Sequence, residues 1–288
     1  MAVVRTFLYL LIYPGLLFLF AYSTFCEWFD RKVYARLQNR MGPTHTGRFG
    51  LLQPIADFFK LMAKEDVVPE AADKKLFSVL PVIGLAVVST AGLLLPVWNF
   101  DLLVPGWTSF PGDIIVILYL LSLPTLVLLI GASRVLTMLF GYEVPLFLAV
   151  LSPAILADSW RLAEIAAFYQ ARPLLLLANL PGFLVALIAV QAKLERTPFD
   201  IPHAETEIVG GTFTEYSGKK LALFRLTFDI ELVVASGLLA AVFLGGFPGG
   251  AIIGFLHFVV KTLFIIFLLS LLRALTSRIR VDQVVSFA

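Results

Sequence analysis

Apolar positions along this chain fall into long unbroken runs rather than short alternating ones. Seven runs stand out, at 7–26, 76–97, 113–132, 135–157, 173–192, 221–244 and 251–272. Runs of roughly 20 apolar residues, rising about 1.5 Å each as helix, match a hydrocarbon core about 30 Å thick. The pattern predicts an all-α polytopic bundle of about seven transmembrane helices, forming a single integral membrane domain over 1–288. The first run is longer than a signal-peptide core and no small-residue cleavage site follows it, so it reads as a retained helix, kinked at Pro14–Gly15.

Polar positions gather in two long connections, 27–75 and 193–220. The first opens with DRKVYARLQNRMGP and continues as FGLLQPIADFFKLMAKED, where apolar residues at 51, 52, 55, 58, 59, 61 and 62 oppose Asp57, Lys60 and Lys64. That spacing predicts an amphipathic surface helix over 49–64, lying in the membrane interface with its apolar face down. The second connection carries ERTPFDIPHAETEIVGGTFTEYSG. Its two X-Pro steps stop the preceding helix, AETEIV can form a short helix, and Gly210–Gly211 would break it. A proline-stiffened segment of this length is a folded loop rather than a tether. On the other side, 98–112 holds two Trp residues, and the polar connection 158–172 offers Trp160 and Tyr169 as headgroup anchors.

Composition sharpens this picture. The chain is 59% hydrophobic and only 15% charged, with 26 Phe and a mean hydropathy of +0.92, which excludes an ordinary soluble domain. Its single cysteine excludes an internal disulfide and any cysteine-ligated iron–sulfur cluster held by this chain alone. The net charge of +2 is uninformative, but its distribution is not. With the N-terminus outside, seventeen Lys and Arg fall in inner segments and three in outer ones, which places the C-terminus and both long connections in the cytoplasm. His203, Glu205 and Glu207 lack a recognisable metal-ligand spacing, and no phosphate loop, nucleophile–base pair or nucleic-acid patch is present. The residues thus offer no catalytic, metal-binding or cofactor-binding set.

Charges within the apolar runs are the chemistry-bearing positions, because a charge at the centre of a membrane helix costs roughly 2.5–3.5 kcal/mol on insertion scales. Glu143 lies in GYEVP, beside a proline that removes a backbone donor. Arg225, Asp229 and Glu231 share one run, and Lys261 follows His257 by four residues in the last. Arg225 and Asp229 fall on one helix face, whereas Glu231 points about 200° away from Asp229 at about 100° per residue. Two readings stay open. The charges are buried ion pairs that fix packing, such as Arg225 with Asp229 or Lys261 with Glu231, or they line a hydrated proton path. Three carboxylates against two bases leave Glu143 as the acid without an obvious partner.

Four blocks, taken together and in this order, resemble one family. DRKVYARLQNRMGPTHTGRFGLLQPIADFFKLMAKEDVVPE resembles the first loop of the membrane subunit of respiratory complex I that sits beneath the peripheral redox arm. ERTPFDIPHAETEIVGGTFTEYSG followed by ALF resembles that family's acidic loop, and GYEVP with Arg134, then RALTSRIRVDQ, resemble two further blocks. The resemblance implies a membrane anchor and coupling subunit of a multisubunit respiratory complex, in a plasma membrane. It would bind the redox arm through Arg31, Lys32, Arg36 and Arg40. Electron transfer would be linked to proton or sodium translocation through Glu143, Asp200, Glu205, Glu207 and Glu215, with Asp229, Glu231 and Lys261 as the intramembrane continuation. Implied partners are an iron–sulfur small subunit, a hydrogenase-like large subunit and antiporter-like membrane subunits. Iron–sulfur clusters and a nickel–iron centre would sit in those partners, with none in this chain. The compact LERTPFDIP and TEYSG motifs resemble the archaeal membrane-bound hydrogenase and sulfane sulfur reductase branch more than the quinone branch. Two departures are Asp30, where complex I members tend to have Glu, and an expected eighth helix that no run supplies. A quinone-binding subunit of a complex I-type oxidoreductase is the alternative, and a standalone ion transporter the remote one.

Overall fold

The computed structural model describes residues 11–12, 15–70, 72–95, 112–129, 133–200, 213 and 215–278, with the backbone alone at 126–129, 133–140 and 251. The described residues are helical with no strand. Helix α1 (Leu16–Leu37) is followed by a 3-10 turn at Arg48–Gly50 and by α2 (Gln53–Met62). Then come α3 (Lys74–Leu94), α4 (Asp113–Leu129), α5 (Ser133–Ala157), α6 (Leu162–Ala171), the single turn α7 (Leu175–Ala178) and α8 (Leu180–Lys193). Helices α9 (Gly218–Phe243) and α10 (Ala251–Leu275) complete the order.

Helix α9 is apolar on every side, and a helix of that kind is stable only when it is surrounded. Twenty of its 26 residues are buried, and α1, α2, α3, α8 and α10 all pack on it. The outer helices bury one stripe and show another. On α10 the outward stripe is Ile252, Leu256, Val260 and Phe264, with Ile252 83% exposed, and Leu180 and Leu184 on α8 are exposed as well. Contiguous apolar area of that extent belongs against hydrocarbon rather than water.

Three helices are long and apolar enough to cross a membrane, Lys74–Leu94, Gly218–Phe243 and Ile252–Leu275. A fourth is added if Gly141–Ala157 and Leu162–Ala171, bent by 64°, count as one span. The expected count of seven is therefore not reached among the described residues. Part of the run at 7–26 lies outside them, Pro14 included. The run at 173–192 is divided at Asn179, which leaves the 14-residue α8, about 21 Å at 1.5 Å per residue.

Segment 158–172 differs from the expected polar connection. It forms α6, which packs inward, and Tyr169 is fully buried rather than anchored at headgroups. The Tyr169 hydroxyl donates to the Pro153 carbonyl at 3.1 Å and accepts from Asn179 at 2.7 Å, so its polar end is satisfied inside protein. The first turn of α6 is held by Asp113, whose buried carboxylate accepts from the Leu162 amide at 2.9 Å.

Helix α2 occupies the amphipathic segment and packs on α1 and α9, with Phe58 edge-on to Phe20 at 5.3 Å. The chain before it folds tightly on itself. Gly50 adopts φ +77°, and a Cβ there would lie 2.4 Å from the Pro43 carbonyl carbon.

Candidate functional site

The buried charges converge at the end of α8. Lys193 has a fully buried side chain, and its Nζ lies 2.5 Å from Oε1 of Glu143 on α5 and 3.7 Å from Oε1 of Glu231 on α9. Both carboxylates are buried as well, at 5% and 1% side-chain exposure. Three helices thus each contribute one charged group to this centre. Tyr142 places its ring 5.9 Å from the ammonium, and the neighbouring Gln191 and Glu195 are also buried. Gln191 donates to the Thr197 carbonyl at 2.7 Å, which ties the turn after α8 back onto the helix.

One ammonium thus faces two carboxylates. Oε2 of Glu143 has no hydrogen-bond partner among the described residues, and Oε1 of Glu231 lies within ion-pair reach of Lys193 but beyond hydrogen-bond reach. Buried carboxylate oxygens left in this state are costly.

This geometry revises the pairing expected from sequence. Glu143 is not the acid without a partner, because Lys193 supplies the cation. Lys193 falls just past the run 173–192 and counts with the loop that follows, yet its ammonium lies inside the bundle, against the usual tendency of lysine to carry its head out to water. Lys261 does not meet Glu231. Its ammonium donates to the carbonyls of Leu244 at 2.7 Å and Gly246 at 2.6 Å, closing the C-terminus of α9, while His257 Nδ1 meets the Pro248 carbonyl at 2.8 Å. That terminus is about 20 Å from Glu231 along the helix at 1.5 Å per residue. Arg225 is exposed, so it forms no buried pair with the half-buried Asp229.

A second charged cluster lies at the loop-bearing end. Asp30, 1% exposed, accepts from Ser270 at 2.5 Å and pairs with Arg196 at 3.1 Å and Arg273 at 3.6 Å, joining α1, α10 and the turn after α8. Glu27 pairs with Arg31 at 2.6 Å and lies 3.9 Å from Arg196, and Arg31 also pairs with Asp57 of α2 at 2.7 Å. Burial alone would push the Asp57 carboxyl up, but hydrogen bonds from Arg31 and Gln53 outweigh it and hold the group below its ordinary value.

Of the four bases expected to face a partner, Arg31 is thus committed to Glu27 and Asp57, and Lys32 donates to the Pro43 and Phe49 carbonyls at 2.8 and 3.4 Å. Arg36 and Arg40 remain exposed. Among the acidic-loop positions, Asp200 is half-buried with its carbonyl accepting from Arg278 at 2.6 Å, and Glu215 is exposed. Glu205 and Glu207 lie outside the described residues. The end of that loop docks on the first one: the Val67 amide donates to Ser217 Oγ at 2.9 Å, Lys220 pairs with Asp66 at 2.8 Å, and Tyr216 stacks on Phe77 at 4.1 Å. Among the described residues no His, Cys, Asp and Glu group is placed to hold a metal ion.

The family model described as NADH dehydrogenase matches residues 10–288. An NADH-quinone oxidoreductase subunit from Thermomicrobium roseum is 37% identical, over 95% of this chain and 87% of its own length. NADH-quinone oxidoreductase subunit 8 from Thermus thermophilus is 38% identical over 96% and 80% respectively. A further NADH-quinone oxidoreductase subunit, from Dehalococcoides mccartyi, is 35% identical over 97% and 81%. These relatives are bacterial and bear the quinone-oxidoreductase name, so the archaeal hydrogenase or sulfane sulfur reductase branch is not supported. The two loop motifs that suggested that branch are a short stretch beside likeness along nearly the whole chain. With a match that leaves only the first nine residues aside, the chain belongs to the NADH dehydrogenase family.

Proposed function

We propose that this chain is the membrane anchor and coupling subunit of a complex I-type NADH-quinone oxidoreductase. The observation that carries the coupling role is the Glu143–Lys193–Glu231 centre, three buried charges from three helices inside an apolar bundle. Ionisable groups buried inside a membrane bundle are expensive and mark functional sites by default. The anchoring role rests on the loop-bearing end, where the two long connections are pinned together and Arg36 and Arg40 stay exposed for a partner. That end faces the cytoplasm and the iron–sulfur-bearing peripheral arm, and antiporter-like membrane subunits receive the coupling signal as proton or sodium movement.

The test uses the whole complex in sealed vesicles. Glu143→Gln is expected to leave donor oxidation with a soluble acceptor unchanged while ion translocation per electron pair falls at least fivefold. Unchanged translocation in an assembled Glu143→Gln complex would refute the coupling role.

A second reading, direct quinone binding, is favoured by a groove of about 390 Å³ between α1 and α10. Its apolar wall includes Phe29, Val33 and Phe267, which suit an isoprenoid tail, and Lys32 and Arg36 at its edge suit carbonyl acceptors. A photoreactive quinone that labels Val33 or Phe267 supports this reading, and labelling confined to other subunits removes it.

A further inference from the structure

Lys193 cannot serve both of its carboxylates equally. Its Nζ is at 2.5 Å from Glu143 and at 3.7 Å from Glu231, and only the shorter contact is a hydrogen bond. About 1 Å of movement by the ammonium would exchange the two, a small displacement for a lysine stem with four rotatable bonds. The oxygen it would move towards, Oε1 of Glu231, is buried and has no hydrogen bond in the present arrangement. The polar groups facing the ammonium are Glu143 and Tyr142 from α5 and Glu231 from α9, and Glu195 in the turn after α8 lies within electrostatic reach of Glu231 and Tyr142.

We infer that Lys193 is a mobile counter-ion that follows a single negative charge shared between Glu143 and Glu231. In one state Glu143 is ionised and holds the ammonium, and Glu231 carries a proton. In the other Glu143 carries the proton, and Glu231 is ionised and holds the ammonium. One proton moves between the two carboxyls in each exchange, Lys193 keeps all three of its own, and the net charge of the three groups stays at zero. No oxidant or co-reactant enters the step. The ammonium lowers the cost of the transfer by standing beside whichever carboxylate is ionised.

The position of Lys193 also ties this exchange to the loop-bearing end. Three residues on, Arg196 is held by Asp30 at 3.1 Å and lies 3.9 Å from Glu27, and Glu27 leads through Arg31 to Asp57 on α2. A displacement of α2 or α1 therefore reaches the turn that carries Lys193 through charged contacts rather than through the apolar core.

This inference rests on the coupling role proposed above, and the experiment separates the two. Infrared difference spectra of the assembled complex identify the carboxylic-acid band of Glu231 as the one that Glu231→Gln removes. In Glu143→Gln the same band is expected to vanish, because the ammonium moves to Glu231 and Glu231 gives up its proton. In vesicles, Lys193→Met is expected to lower ion translocation per electron pair at least fivefold, with soluble-acceptor reduction unchanged. A Glu231 acid band that persists in Glu143→Gln shows a fixed ammonium and overturns the inference. Translocation within twofold of the parent in assembled Lys193→Met also overturns it. If Glu143→Gln uncouples the complex while Lys193→Met does not, the coupling role stands and the mobile counter-ion falls.

Discussion

Gly218→Ala tests whether the two long connections form one platform. Gly218 adopts φ +54°, where an L-residue costs about 1–2 kcal/mol. A Cβ there would lie 2.7 Å from the Glu65 carbonyl oxygen and 2.9 Å from that of Lys64. Both atoms are backbone, so no flexible side chain can yield and the segments must part. Parting costs the bond from the Val67 amide to Ser217, about 1 kcal/mol, and the partly exposed Lys220–Asp66 pair, about 0.5 kcal/mol. Those losses oppose opening equally in parent and variant, so the difference is the strain of the closed state, about 1–2 kcal/mol from the backbone before the clash is counted, which raises the open fraction by at least roughly fivefold to thirtyfold at 1.4 kcal/mol per decade. Hydrogen exchange at the Val67 amide in the detergent-solubilised complex reads this directly. Gly84→Ala is the control, since a Cβ at Gly84 meets only Thr227 at 3.7 Å and alanine is the better helix former. Val67 exchange in Gly218→Ala within threefold of the parent would refute the reasoning.

Two further outcomes follow from the charged groups outside the centre. Lys261→Met removes two charge-assisted bonds to the carbonyls of Leu244 and Gly246, so the complex should lose about 1.5–3 kcal/mol of stability, seen as a lower melting temperature. Translocation per electron pair should hold in that variant, and its loss without a stability change would return Lys261 to the ion path. Asp57 sets a pH limit on the seating of α2. Its carboxyl is held below its ordinary value of 3.8, so the stabilisation is fully present above that pH and declines as pH falls towards the lower folded value. An environment-sensitive dye on α2 should therefore report release below about pH 4 in the parent, and a weaker acid transition in Asp57→Asn.

Local pattern was enough to read the apolar spans that α3, α9 and α10 became, because helix length and hydrophobicity are both local quantities. The same holds for α2, where Ile55, Phe58, Phe59, Leu61 and Met62 recur at helical spacing. The inward turn of 158–172 was not legible. Tyr169 at a span boundary reads as a headgroup anchor, and only the carbonyl of Pro153 and the amide of Asn179, brought in by tertiary folding, make a buried hydroxyl tolerable there.

Lys193 shows the same limit at the candidate site. A lysine within one turn of the end of an apolar run can extend towards water or back along the helix, and charge counting assumes the first. What reverses it is a carboxylate 50 residues away in sequence. Glu143 and Glu231 were legible as expensive intramembrane acids, since their cost follows from the hydrophobic run around each. Their shared cation was not, because the last turn of α8 is closed off from water only once α5 and α9 pack against it. A boundary lysine should therefore be counted as loop charge only when the span beside it has no unpaired carboxylate facing it from another helix. In this chain the number of intramembrane acids exceeded the number of bases, and that imbalance was the one sequence signal that a cation had to come from a boundary position.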